Sequence, residues 1–128
     1  MWQEFTEIRR VFHSSVPTAG IYAPRMKFYD AIDHTSDRAW GAVDLAEIPD
    51  ATVRLHWTDA PYKWHTNDGA EAFVVLAGVV DMHYRSNGDE LIERLVPGRI
   101  CIAEEGDEHV AHPVGEARVL VVEQRGSE

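Results

Sequence analysis

An all-β domain, built as an antiparallel sandwich or small barrel, is what this sequence predicts. Three observations carry that prediction. From Met26 onward, clusters of Gly, Pro, Asn and Asp punctuate the chain roughly every eight to twelve residues, the spacing of short strands joined by tight turns. Between them, apolar side chains recur with the period of two that a strand with one buried face requires. Ser86-Asn87-Gly88 lies between two such runs, and Asn-Gly is the dipeptide whose positive φ angles match the twist of a β-hairpin.

The first stretch is different. Trp2, Phe5, Ile8, Val11 and Phe12 fall at nearly helical spacing, which predicts a short amphipathic helix, and Ser14-Ser15, Pro17, Gly20 and Pro24 then break it. Residues 1–25 are therefore expected to form an N-terminal extension: a short helix packed on the domain, a segment swapped onto a partner, or a frayed end. Residues 26–128 are expected to form the single barrel domain.

Within that domain, Trp40 to Ile48 reads as a strand with Gly41, Val43 and Leu45 on one face, and Pro49-Asp50 as a turn. Thr52 to Trp57 alternates cleanly. Val53, Leu55 and Trp57 share one face, while Thr52, Arg54 and His56 share the other, which is either solvent or the polar end of a pocket. After Asp59-Ala60-Pro61, the continuous apolar run Ala72 to Leu76 predicts a strand buried on both faces. Ala77-Gly78 turns into Val79 to Arg85. Beyond the hairpin come Leu91 to Val96, the Pro97-Gly98 turn and Arg99 to Ala103. Pro113-Val114-Gly115 leads into a terminal strand, Glu116 to Glu123.

Composition bounds the function. A chain of 128 residues is one domain's worth and buries roughly two-thirds of its unfolded surface. The formal net charge of -10 argues against partnership with nucleic acid or an anionic membrane. No apolar run approaches the ~20 residues that span a bilayer. Met1-Trp2-Gln3-Glu4-Phe5 lacks the basic and apolar regions of a secretory signal. The single cysteine excludes an internal disulfide, so a cytoplasmic location is expected. Cys101 sits in Arg99-Ile100-Cys101-Ile102-Ala103, a strand in which a buried structural thiol is expected.

His65, Glu71 and His109 are the candidate site. Two imidazoles and a carboxylate, with no thiolate, suit a divalent transition metal that keeps open positions. His65 and Glu71 are six apart and would share a face of one continuous strand, unless the Asn67-Asp68-Gly69 turn breaks the register.

In these residues the chain resembles the cupin superfamily, whose first motif runs Gly, His, His, Glu, Gly and whose second runs Gly, Pro, Gly, His, Asn. Asp59, His65, Asn67, Glu71 and Gly78 stand at the places of the first; Gly98, Glu104, Gly106, His109 and Pro113 stand at those of the second. The likeness covers roughly residues 40 to 123. It implies a double-stranded β-helix, a jelly-roll barrel with its site inside. It also implies one divalent metal (Fe, Mn, Ni or Zn) held by His65, Glu71 and His109. Asn67, a weaker neutral ligand where the motif has its second His, is the optional fourth contact. The competing reading is a metal-free pocket in which these groups hydrogen-bond one another or water.

Two function classes follow, since a fold does not fix a reaction. One is a metal-dependent enzyme acting on a small organic molecule, as dioxygenase, isomerase, lyase or cyclase. The other is a non-catalytic module that binds or senses a small, sugar-like ligand. A purely structural dimer module is a third possibility. The resemblance implies a homodimer in any case. Trp57, Tyr62, Trp64 and Phe73 flank the first motif and are expected in the core, or lining a pocket above the site. His112 is expected beside the metal or on an exposed edge, and His83 on the surface. His13 and His34 carry no argument, and Glu104, Glu105, Asp107 and Glu108 form an acidic loop.

Overall fold

The structure, a computed structural model, describes residues 26–127. The expected extension, residues 1–25, lies outside the described residues.

Nine strands follow a short 3-10 turn at Ala31–Asp33: β1 (Gly41–Ile48), β2 (Ala51–Thr58), β3 (His65–Thr66), β4 (Glu71–Ala77), β5 (Val80–Ser86), β6 (Asp89–Leu95), β7 (Ile100–Ala103), β8 (Glu108–Pro113) and β9 (Ala117–Gln124). They form two sheets. One is ordered β1-β2-β9-β4-β7, the other β3-β8-β5-β6, and the strand pairings are antiparallel.

The turns sit where the punctuation put them. Asn87 and Gly88, with φ 53 and 83, close the β5–β6 hairpin in the all-positive conformation that Asn-Gly adopts most easily. Gly78 (φ 85) joins β4 to β5, and a Cβ there would collide with the Glu116 carbonyl.

Side chains from both sheets meet in a core of Phe73, Val75, Val80, Met82, Leu95, Ala111, Ala117, Val119 and Val121. Cys101 packs against this cluster, opposite Phe73 across β4 and β7, and burial pushes its thiol pKa up. The apolar residues fill one end of the interior. The other end is polar.

Two expectations need correcting. The Ala72 to Leu76 run is not buried on both faces. Phe73 and Val75 point inward, while Leu76 is 43% exposed and Ala72 and Val74 alternate with the buried positions. The apolar run persists because the outward side of this sheet is itself apolar. Ala72 pairs with Ile102 and Val122, and Val74 with Ile100 and Leu120. Second, His65 and Glu71 do not lie on one strand. The turn at Asn67 to Ala70 carries the chain from β3 in one sheet to β4 in the other.

Candidate functional site

The break in register brings the site together instead of dispersing it. His65 on β3 is the cross-strand partner of His109 on β8, and their ring centroids are 4.4 Å apart. Glu71 opens β4 in the other sheet, and its Oε1 lies 3.5 Å from His109 Nε2. Asn67 is locked between the sheets by its backbone, donating to Asp107 O at 2.8 Å while its own carbonyl accepts from Gly106 at 2.8 Å. All four sequence-predicted residues therefore gather at one place, with Asn67, Glu71 and His109 buried.

Hydrogen bonds fix their protonation. Asn67 Nδ2 donates to Gly69 O at 3.1 Å, which turns Oδ1 toward His109, and His109 Nε2 stands 2.6 Å from it. A carboxamide oxygen only accepts, so His109 carries its proton on Nε2. His65 Nδ1 lies 2.9 Å from Lys63 O and by the same logic donates to it, leaving its lone pair on Nε2. Glu71 Oε1 and His109 Nδ1 are buried with no hydrogen-bond partner.

Burial dominates the electrostatics. It pushes the Glu71 carboxyl up to about 8, helped by Glu123, its partner across β4 and β9. Burial, then the neighbouring His65, pulls His109 down to about 4. Near neutral pH both groups are therefore uncharged, and their approach is not an ion pair.

The cluster lies in a cavity of about 580 Å³, whose lining includes Trp40, His56, Tyr62, His65, Glu71, Phe73, His109 and Glu123. Arg54 and His56 thus line the pocket, while Leu55 and Trp57, on the other face of β2, are buried as well. The aromatic residues divide. Phe73 belongs to core and cavity, Tyr62 packs edge-on to His65 at 5.4 Å, and Trp64 lies outside, with Arg85 4.2 Å above its ring. His112 is not beside His109. It meets His83 at 4.1 Å between rings, on the face opposite the core, next to Asp81.

Trp40 is the wall residue that sequence reasoning missed. It lies in the segment before β1, held by an indole hydrogen bond to Ala60 O at 2.9 Å. The sequence pattern places it inside a strand from Trp40 to Ile48, but β1 begins at Gly41 and Trp40 occupies the turn before it, at φ 62. The only local signal was the turn-like Ser36-Asp37-Arg38 immediately upstream.

The donor set tests the implied metal. Among the described residues, no three His, Cys, Asp or Glu side chains are gathered closely enough to hold a metal ion. His65 Nε2 and the unpartnered Glu71 Oε1 have the right chemistry. His109 does not, as it stands: its nearer nitrogen is protonated and committed to Asn67.

The chain matches no family model and no curated protein. Solved structures match it in fold. A cupin-2 domain containing protein from Shewanella frigidimarina is 23% identical, with TM-score 0.61 over 70% of this chain and 85% of that one. A cupin superfamily protein from Desulfitobacterium hafniense is 13% identical, with TM-score 0.66 over 79% and 92%. Hydroxypropylphosphonic acid epoxidase from S. wedmorenis is 20% identical, with TM-score 0.51 over 58% of this chain, which spans only 43% of that one. The fold is a cupin fold.

Proposed function

We propose that this cupin-fold chain binds a small organic molecule in the cavity between its sheets, over a floor of His65, Glu71 and His109, with Asn67 hydrogen-bonded to His109. The observation that carries this reading is the pair of buried, unpartnered polar atoms at that floor, Glu71 Oε1 and His109 Nδ1. Such atoms are costly to bury alone, and a ligand reaching the floor would satisfy them. At neutral pH the protonated Glu71 carboxyl can donate a hydrogen bond, and His109 Nδ1 and His65 Nε2 can accept. Trp40, Tyr62 and Phe73 exclude water from one side. The geometry as it stands favours recognition by hydrogen bonding, in a binding or sensing module.

A second reading is supported by the free lone pair of His65 and the bare Glu71 oxygen: one divalent metal held by His65, Glu71 and His109, with Asn67 Oδ1 as a fourth contact. When bound, such an ion supplies Lewis-acid polarisation or activates water or oxygen, and the chain would be an enzyme. This reading needs His109 to release Asn67 and expose Nε2. Among the fold neighbours, Fe(II) HppE carries iron.

Elemental analysis of the protein purified from metal-replete cells separates the two, repeated for Glu71→Ala. Substoichiometric metal, unchanged in the variant, supports the hydrogen-bonding site. One equivalent, lost in the variant, supports the metal centre.

Assembly as a homodimer through the apolar outward face of the five-stranded sheet is part of the same proposal. Ile100 and Ile102, 65% and 55% exposed, support it as residues that a partner would cover. A solution mass equal to the 14.5 kDa chain would sink it.

A further inference from the structure

The lip of the cavity, residues 36–41, is held in an unfavourable conformation. Trp40 has φ 62, the left-handed region that bulky side chains avoid. It sits third in a turn closed by Gly41 N–H donating to Arg38 O at 3.2 Å, a position usually given to Gly or Asn. Ser36 packs into the space where a Gly41 side chain would be. The consequence is that Arg38 and Trp40 line the same cavity. Strain of this kind persists where the surroundings over-determine it, commonly at ligand clamps.

Three features of the lip have no role in the floor below it. The Trp40 ring lies 5.7 Å from Tyr62, edge-on, and 6.3 Å from Phe73, giving an aromatic wall. The Trp40 carbonyl accepts from His56 Nδ1 at 3.1 Å. The His56 proton is therefore on Nδ1, and Nε2 keeps its lone pair. Burial lowers the pKa of this ring, with Arg54 and His34 acting in the same direction, against the Trp40 carbonyl and then Glu123, which raise it. Arg54 is occupied by Asp44 at 2.8 Å, and no ion pair to Arg38 is formed among the described residues.

We propose that the cavity selects small aromatic hydroxy acids. The carboxylate pairs with Arg38, the ring lies against Trp40, and the hydroxyl donates to His56 Nε2. This ligand class rests on the reading of the cavity as a small-molecule site.

The test titrates para-hydroxybenzoate, para-methoxybenzoate and para-hydroxybenzamide into the full chain at neutral pH and low salt. Binding is followed by NMR at the Trp40 indole N–H, assigned by its loss in Trp40→Phe. The hydroxy acid should bind about tenfold more tightly than the amide, the discrimination that one charge-assisted hydrogen bond supplies, and roughly threefold to tenfold more tightly than the methoxy acid, the worth of one neutral hydrogen bond. Arg38→Gln should erase the preference for acid over amide. His56→Gln should narrow the gap between hydroxy and methoxy acids. If that variant does not fold, the gap in the wild-type chain tests the same contact. Equal binding of acid and amide, or a preference that survives Arg38→Gln, overturns the acid class while leaving a small-molecule site in place. Equal binding of hydroxy and methoxy acids overturns the role of His56. No response to any of the three overturns the ligand class outright, and the elemental analysis above still judges the floor.

Discussion

His109 directs its Nε2–H at the carboxamide oxygen of Asn67, 2.6 Å away, across 42 residues of chain. That contact commits the nitrogen that lies 3.5 Å from Glu71, so a single amide decides whether the floor is a hydrogen-bonded network or a set of open metal ligands.

Asn67→His should shift the balance toward metal. An imidazole offers a strong ligand where the amide offers a weak one, and it no longer fixes the His109 proton on Nε2. We expect Ni(II) or Zn(II) affinity to rise at least about tenfold over wild type, measured by competition with a chromophoric chelator. Equal affinities would show that Asn67 does not control the site.

Asn67→Ala should destabilise the fold by roughly 1–3 kcal/mol, the usual cost of stranding a buried donor, here the His109 N–H. Urea melts at neutral pH would measure it. A loss below about 0.5 kcal/mol would mean that water replaces the amide.

Stability should depend on pH through Glu71 and His109 in opposite senses. The Glu71 carboxyl is raised from 4.5 to about 8, so the folded chain keeps a proton that the unfolded chain releases. That contribution is complete below about 4.5 and is lost as pH rises through about 8. His109 is lowered from 6.5 to about 4; its contribution is present above 6.5 and lost as pH falls through about 4. In metal-free protein, the melting temperature of Glu71→Gln relative to wild type should climb by a few degrees between pH 5 and 8. A constant difference would place the Glu71 proton elsewhere.

Trp40 tests the strained lip. Trp40→Gly and Trp40→Ala both remove the ring, but only glycine adopts φ 62 without penalty. The glycine variant should be more stable than the alanine variant by about 1 kcal/mol, a reversal of their order at an ordinary position. Alanine proving the more stable in thermal melts would mean that the left-handed conformation collapses once the indole is gone.

Gly78→Ala should cost at least about 1–3 kcal/mol, since it combines a positive φ with a collision against the Glu116 carbonyl. Denaturant melts at fixed pH would show a near-neutral effect if the β4–β5 turn can shift.

By itself, the sequence determined strands β1, β2, β4 to β7 and β9, most of the turns and the candidate ligands, but not β3 and β8, the paired strands that carry His65 and His109. Alternation, Asn87-Gly88, Gly78 and the Pro-Gly turns act over a few residues, and backbone sterics at that range do not depend on the rest of the chain. The resemblance added that His109 belongs with His65 and Glu71. Only the tertiary structure decided that Asn67 would bond His109, that His56 faces a cavity while His112 faces away, and that a lone Trp40 would be its wall. Each of these depends on where the two sheets and the segment before β1 meet in space. Two sheets can cross at one register and not another, and that choice belongs to the packing of the whole core, not to any run of residues.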